Sequence, residues 1–482
     1  MLLDRDSYMY QMIRCELLDA VGPQNVDTGY SDAAGHSIDY YWIPEMWHDR
    51  GMKMSLPDFV VYPGSAEEVS KVLKIANQYK IPVTPWGGGA GSQGGALPVY
   101  NGIILDTKRM NKVLRIDEQS LSVTCEAGII AQQLEWAVNQ AGYSTMHLPA
   151  SISCSTMGGF LAHRGTGVLS TKWGKIEDMI LSLEVVTPGG DIVQTLPVPR
   201  HASGPDLTML FLGSEGTLGV ITKLTMKIHP EPECRKFHAF IFKNLHEALN
   251  AGADLMRSRL RPAAIRLYDE EETSHHVKRV LGVDRQGSYL VFGFDGPEKI
   301  VDLEMEYALQ IMSRYQTEDM GPEGGELWWQ NKYKFFYPGY AFHMPQGYGT
   351  LDTVADFAHI EQVYTAMKKT VNENFPQARF IGHFSHWYEW GAMLYARFIF
   401  EKEQVPEDPV EALELYNRVW DLAIRAAIAN GGVINEHHGV GMKLGRLMKE
   451  LYKDGFKLLE GIKKTLDPNN IMNPGKMGFP GV

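Results

Sequence analysis

Short apolar runs punctuate the first 230 residues and predict strands. Ile81-Pro82-Val83-Thr84 and Ile103-Ile104-Leu105-Asp106 are two such runs, each long enough for a buried strand. Pro57-Asp58-Phe59-Val60-Val61-Tyr62-Pro63 predicts another, bounded by prolines. Between the first two strands of this set, Ser65-Ala66-Glu67-Glu68-Val69 has the form of a capping box and starts a helix with Val69, Val72, Leu73 and Ile75 apolar. The order strand, helix, strand, then glycine-rich loop predicts an α/β unit. Further on, Val113–Ile116 and Leu121–Gly128 read as two strands joined by an acidic turn. A helix from about Gln132 to Ala141 follows, closed by Gly142. Ile180–Val186 and Gly219–Thr225 are strong strand signals. The pattern changes near His229-Pro230-Glu231-Pro232, which predicts a domain boundary. Beyond it, strands such as Phe237–Phe242 alternate with amphipathic helices such as His246 to Arg259. An aromatic group follows at Trp328, Trp329, Tyr333, Phe335, Phe336, Tyr337 and Tyr340. A helix from Glu411 to Asn430 then leads into Gly431-Gly432 and the polar cluster Asn435-Glu436-His437-His438-Gly439.

The loop between the two apolar strands is Pro85-Trp86-Gly87-Gly88-Gly89-Ala90-Gly91-Ser92-Gln93-Gly94-Gly95. Lacking Cβ atoms, such a loop can turn successive N–H groups toward an anion, although a plain surface turn has the same composition. It lacks the Gly-Lys-Ser/Thr ending of a nucleotide-triphosphate loop and the Gly-x-Gly-x-x-Gly spacing of a dinucleotide fold. Two more small-residue patches, Ser155–Phe160 and Gly213–Gly219, also lie beside strands. Three patches of this kind let backbone lie flat against a large extended ligand.

Composition narrows the class. The 482-residue chain is 44% hydrophobic and 22% charged, as ordinary globular proteins are, and is long enough for two or three domains. Its formal net charge of -12 argues against a nucleic-acid or anionic-membrane partner and favours a small molecule. Cys15, Cys125, Cys154 and Cys234 have no Cys-x-x-Cys spacing, so buried reduced thiols are expected rather than a cluster or disulfide framework. The acidic start, Met1-Leu2-Leu3-Asp4-Arg5-Asp6, is unlike a signal peptide, and no run approaches the ~20 apolar residues of a membrane span. A cytoplasmic protein is expected.

Taken together, the glycine loop, Gly213–Ile221 and the closing Asp467-Pro468-Asn469-Asn470-Ile471-Met472-Asn473-Pro474-Gly475 resemble the FAD-linked oxidases of the vanillyl-alcohol oxidase / p-cresol methylhydroxylase type. The subgroup is the one similar to alkyldihydroxyacetonephosphate synthase and to D-lactate and glycolate dehydrogenases. The resemblance covers nearly the whole chain. It implies an α+β fold with a two-part FAD-binding domain (PCMH-type) and an α/β cap domain built on an antiparallel sheet. The corresponding divisions are an N-terminal helical extension (1–55), the FAD domain (56–230), the substrate cap (231–430) and a C-terminal segment returning to the FAD domain (431–482). Pro85, Trp86, Gly87, Gly88, Gly89, Ala90, Gly91 and Ser92 would hold the FAD pyrophosphate. Pro149, Ser155, Thr156, Gly158, Gly159, Glu215, Gly216, Gly219, Val220, Ile221 and Asn473 would line the rest, with Gly174–Asp178 at its border. Many relatives attach FAD to a histidine after the loop; Ala90-Gly91-Ser92-Gln93 offers none, which implies noncovalent FAD.

A flavin takes two electrons, usually as a hydride, so the protein must bind the substrate and accept a proton. Arg266, within Ala263-Ala264-Ile265-Arg266-Leu267-Tyr268-Asp269, is a charge in an apolar run, and either a salt bridge or a site must compensate it. By resemblance it binds a substrate carboxylate or phosphate. His437 and His438 can titrate near neutral pH and are candidates for the base, against a merely hydrogen-bonding role. The similar synthases have three histidines here and the hydroxy-acid dehydrogenases Glu-His-Gly, so Glu436-His437-His438 departs from both. Tyr395 matches the synthase tyrosine, where the dehydrogenases have a metal-binding histidine. His383 and His386 therefore lack that partner, and no metal is expected. Tyr388, His386 and His147 are further substrate-side candidates, with His163, Arg164 and Lys172 behind them.

The resulting expectation is an FAD-dependent dehydrogenase that oxidises a hydroxylated small molecule, a 2-hydroxy acid or related alcohol, by hydride transfer to flavin N5. Electrons would pass to an electron-transfer flavoprotein or quinone, and a homo-oligomer, a dimer, is expected. Three alternatives are a synthase-like transferase using FAD without net redox change, a phenol or aromatic-alcohol oxidase, and a flavin-binding subunit without catalysis of its own.

Overall fold

The computed structural model describes residues 3–336, 339 and 343–482; Tyr337 and Tyr340 of the aromatic group lie outside the described residues. The first sheet has the order Val26–Asp27, Phe59–Val61, Ile103–Asp106, Val83–Trp86, with its last three strands parallel. Phe59, Val60 and Val61 are all buried, as are Ile103, Ile104 and Leu105, because both faces of this parallel sheet are covered. Helices Tyr8–Val21 and Ala66–Tyr79 supply one cover through Ile13, Leu17, Val69, Val72 and Leu73. Ser65 caps the second helix, its hydroxyl accepting from Glu68 N at 3.2 Å. The Glu68 carboxylate accepts from Gly64 N at 2.7 Å, one residue earlier than a capping box would place it. Pro85 and Trp86 end the strand, so the loop proper begins at Gly87.

Five antiparallel strands form the second sheet, in the order Val113–Asp117, Ser122–Glu126, Val220–Lys227, Ile180–Val186, Ile192–Gln194. The third sheet is antiparallel throughout and has seven strands: Thr317–Met320, Cys234–Phe242, Ser288–Gly296, Ala264–Tyr268, Arg379–Trp387, Gly391–Phe400, Gly347–Asp356. Helices Leu245–Arg257, Glu298–Met312, Ile360–Asn374 and Pro409–Ala429 pack on one face in a single large core. Strand alternation then decides what the other face carries. Ile265 and Leu267 point into the helix-covered core, so Arg266 points away from it; likewise Leu394, Ala396 and Phe398 turn Tyr395 and Arg397 to the opposite side.

The two ends of the chain tie the parts together. Tyr8–Val21 joins the first sheet, whereas Trp42 stacks on Tyr416 of the Pro409–Ala429 helix at 5.0 Å and donates to Gln346 O at 2.9 Å. At the other end, Val83 N donates to Ile471 O (2.7 Å) and Asn473 N to Val83 O (2.8 Å), so the C-terminal segment lies beside the strand that leads to the glycine loop. Lys463 anchors this return. Its buried ammonium donates to Thr217 O at 2.9 Å, to Met472 O at 2.8 Å and to the Asp467 carboxylate. Asp467→Ala should therefore cost about 3–5 kcal/mol in urea unfolding, since it strands a buried cation. A loss below about 1 kcal/mol would show that the pair is dispensable.

Of the cysteines, all free, only Cys125 is fully buried; Cys15 and Cys154 are exposed, contrary to the expectation of buried thiols, Cys15 on a helix and Cys154 at the wall of the cavity described below. Among the described residues no helix is long and apolar enough to cross a membrane.

Candidate active site

A cavity of about 730 Å³ runs from the glycine loop to the open face of the seven-stranded sheet. Residues 85–92, Pro149, Ser155, Thr156, Gly158, Gly159, Glu215, Gly216, Gly219, Val220 and Ile221 all line it. The glycines are needed because the patches lie backbone against backbone. A Cβ on Gly88 would stand 2.0 Å from the Cys154 carbonyl oxygen, and one on Gly87 would stand 2.3 Å from Thr156 Oγ1. The walls are thus built of small residues with backbone at the surface, continuous from patch to patch as an extended dinucleotide needs, and FAD fits. Asn473 is different: it is buried behind the wall and donates to Gly95 O (2.8 Å) and Glu215 O (2.7 Å), bracing two of the patches. Glu215 in turn accepts from Val440 N (2.6 Å) and Gly441 N (2.8 Å), and burial pushes its carboxyl up to about 7.

The far end of the cavity holds the ionisable groups. Arg266 is buried at 8% exposure, lines the cavity, and has no carboxylate within ion-pair distance among the described residues. Burial lowers its pKa, which carboxylates farther off, Glu272 and Glu436, only partly offset. The alternative of a structural salt bridge is therefore set aside. Arg397, on the same face of the sheet, is paired with Glu272, which also accepts from His383 Nδ1 at 3.0 Å. The His383 ring stacks on Tyr395 with 4.8 Å between centroids.

His386 reaches the cavity because of an irregularity. Pairing shifts register between Phe384 and Trp387, both of which stay in the helix-covered core. The intervening Ser385 and His386 consequently both face the cavity, as residues at a bulge do. His386 Nδ1 lies 3.4 Å from Glu436 Oε2 and 3.2 Å from Thr166 Oγ1.

The turn 435–438 completes the site. Glu436 holds Lys175 Nζ at 3.0 Å on its side chain and at 2.7 Å on its carbonyl oxygen, and it accepts from the Tyr388 hydroxyl. His437 Nδ1 is 2.7 Å from Glu436 Oε2, yet neither atom makes a well-aligned hydrogen bond. Burial, with His438 next to it, pushes the His437 imidazole down to about 3. His438 Nδ1 makes an aligned hydrogen bond of 2.8 Å with Asp352 Oδ1. Burial acts to raise the Asp352 carboxyl, but its histidine neighbours, His438 foremost, reverse this and hold it below the ordinary value. Two donor triples, Asp352/His437/His438 and His386/Glu436/His437, are close enough to share an ion. The second already has the Lys175 ammonium on its carboxylate.

Arg266, Tyr395, His386, His437 and His438 thus converge on one cavity, and His163 joins them, its Nδ1 2.9 Å from His437 O. Four candidates stand outside its wall: Arg164, Lys172, which pairs with Asp295 at 2.7 Å, Tyr388 and His147. Tyr388 stacks on Trp390 at 5.2 Å and serves Glu436. His147 sits edge-on to Phe160 at 4.9 Å with both ring nitrogens unpartnered, and burial lowers it to about 3. Sequence reasoning missed Arg397, Glu272 and Asp352, whose only signal is a charge at alternate positions in apolar strands or next to them. It also missed Ile38, Asp39, Tyr40 and Glu45 of the N-terminal segment, which line the cavity as well.

Comparison with known proteins agrees with this geometry. A family described as FAD binding domain matches residues 57–196, and one described as FAD linked oxidases, C-terminal domain, matches residues 231–477. Alkyldihydroxyacetonephosphate synthase of Dictyostelium discoideum is 30% identical over 459 residues, covering 89% of this chain and 74% of that one. Glycolate oxidase subunit GlcD of Bacillus subtilis is 29% identical over 477 residues, covering 96% of each. A solved alkyldihydroxyacetonephosphate synthase superposes with a TM-score of 0.81 at 26% identity, covering 98% of this chain and 87% of the other. The chain belongs to the FAD-linked oxidases, and its cofactor is FAD.

Proposed function

We propose that the protein dehydrogenates a hydroxylated carboxylate, a 2-hydroxy acid or close relative, and passes the electrons to a protein or quinone acceptor. The observation that carries this reading is the buried Arg266 guanidinium, without an ion-pair partner among the described residues, facing the same cavity as the histidine turn. Such a cation is expensive to bury alone and is suited to grip a planar carboxylate with two parallel hydrogen bonds. Relatives whose names include glycolate oxidase and D-lactate dehydrogenase support the substrate class. When bound, FAD supplies the two-electron acceptor for the substrate's hydride. Arg266 orients the acid, Tyr395 and the sheet face close the cavity around the carbinol, and a histidine of the 437–438 pair takes the hydroxyl proton. FAD is held without a covalent bond, so acid precipitation should release all of the flavin into the supernatant.

The test is anaerobic mixing of the holoenzyme with a panel of 2-hydroxy acids that includes D-lactate and glycolate. Bleaching of the flavin by at least one member is expected; a panel without effect would sink the reading. A second reading, a synthase-like exchange without net redox change, is favoured by Tyr395 and by the likeness to the synthases. It would be preferred if a fatty alcohol yielded an ether product with no electron acceptor present.

A further inference from the structure

We propose that His438, rather than His437 or His383, accepts the hydroxyl proton, and that Asp352 is the positioning residue that enables it to do so. This rests on the dehydrogenase reading and adds to it the identity of the base and of the group behind it.

Three imidazoles at the cavity each turn Nδ1 toward a carboxylate: His383 to Glu272 (3.0 Å), His437 to Glu436 (2.7 Å) and His438 to Asp352 (2.8 Å). Alignment sets His437 apart: among the described residues its Nδ1 makes no aligned hydrogen bond with Glu436, and it also lies 3.5 Å from Asp352 Oδ2. Charge separates the other two. A carboxylate stabilises a neighbouring imidazolium only with charge that no other cation has already balanced. Glu272 is balanced by Arg397 and also faces His276 at 3.8 Å. Glu436 is balanced by Lys175 and further occupied by the Tyr388 hydroxyl. Asp352 has only neutral donors besides the histidines: Asn435 Nδ2 (3.0 Å), Glu436 N (3.2 Å) and His437 N (3.4 Å). The one lysine that faces it, Lys443, makes no ion pair with it within 4 Å among the described residues. That lysine donates instead to Thr350 O at 2.9 Å.

Access points the same way. The side chain of His438 is 21% exposed, against 12% for His437 and 4% for His383. With Nδ1–H committed to Asp352, Nε2 keeps its lone pair for the cavity. The placement is built in by the fold. Asp352 is directly opposite Tyr395 in the strand ladder, so both lie on the cavity face. The turn is fixed by His438 N donating to Asn435 Oδ1 at 2.7 Å. The other groups facing His438 are His437 (ring centroids 3.9 Å apart), Tyr395 edge-on at 5.2 Å, and His163. In the step itself the hydroxyl O–H breaks as its proton goes to His438 Nε2. The carbinol hydride leaves with its bonding pair for FAD, the C=O forms, and the imidazolium later releases its proton to solvent.

The test has two arms on the FAD-loaded protein. In the first, Asp352→Asn should slow flavin reduction by the fastest acid of the D-lactate and glycolate panel by about a hundredfold or more. Binding of that acid should stay within severalfold, because Arg266 is untouched. In the second arm, ¹⁵N-histidine spectra of the unmutated holoenzyme, assigned with His438→Gln, should show His438 protonated on Nδ1. A variant rate within threefold of the parent, or a proton on Nε2, would overturn the proposal. So would one equivalent of tightly held divalent metal whose removal abolishes reduction, because Asp352 would then be a ligand. If no acid of the panel reduces the flavin, the substrate reading fails, and the tautomer still decides the pairing.

Discussion

Arg266→Met is expected to weaken substrate binding and strengthen the fold at the same time. Removing one partner of a desolvated charge pair costs about 2–5 kcal/mol, so the dissociation constant of the bound acid should rise by about thirtyfold or more. Without substrate, however, the guanidinium has no carboxylate beside it among the described residues, and its burial is a net cost. Methionine keeps the stem's volume in the sheet face and removes that cost, so the free protein should gain about 1–2 kcal/mol of stability. Anaerobic substrate titrations and calorimetry of the same preparations check both halves. Unchanged affinity would remove Arg266 from the substrate site, and a fall of several degrees in Tm would mean that the charge is compensated after all.

Gly88→Ala should yield protein largely stripped of flavin. The added methyl group would stand 2.0 Å from the Cys154 carbonyl oxygen and 3.0 Å from the Ser155 Cα, all of it backbone that cannot swing aside. Overpacking of this kind costs about 1–3 kcal/mol or more, and here it spreads the two patches that face the cofactor. A ten- to hundredfold weakening of FAD binding is the order expected, read as flavin absorbance relative to protein in the purified sample. Gly91→Ala is the contrast, since a Cβ there meets no atom within 4 Å and a much smaller loss should follow. Equal flavin content in the two variants would show that close backbone approach at Gly88 does not matter.

Much of this architecture was legible in the chain. The apolar runs at 59–61, 83–86 and 103–106 became parallel strands because continuous hydrophobicity marks a strand covered on both faces. Arg266 stood out because a charge is rare in such a run. What could not be read was anything that depends on which distant carboxylate meets which histidine. Asp352 and Glu272 lie 86 and 111 residues from the imidazoles they serve, and nothing local marks them. His386 depends on a register shift, which leaves no trace in period-two alternation. His147, by contrast, owed its place among the candidates to a resemblance, and its neighbourhood is apolar packing behind Phe160.

One pair of backbone clasps has a thermodynamic consequence. The carbonyl of Gln93, in the glycine-rich loop, accepts from both Met442 N and Lys443 N, and Glu215 accepts from Val440 N and Gly441 N. The glycine loop and the histidine turn are therefore one mechanical piece, and whatever orders one end biases the other. Linkage makes such an effect reciprocal: if FAD raises the affinity for the acid by some factor, the acid must tighten FAD by the same factor. Starving the site of substrate would then loosen the prosthetic group, so that flavin retention reports on occupancy at the opposite end of the cavity.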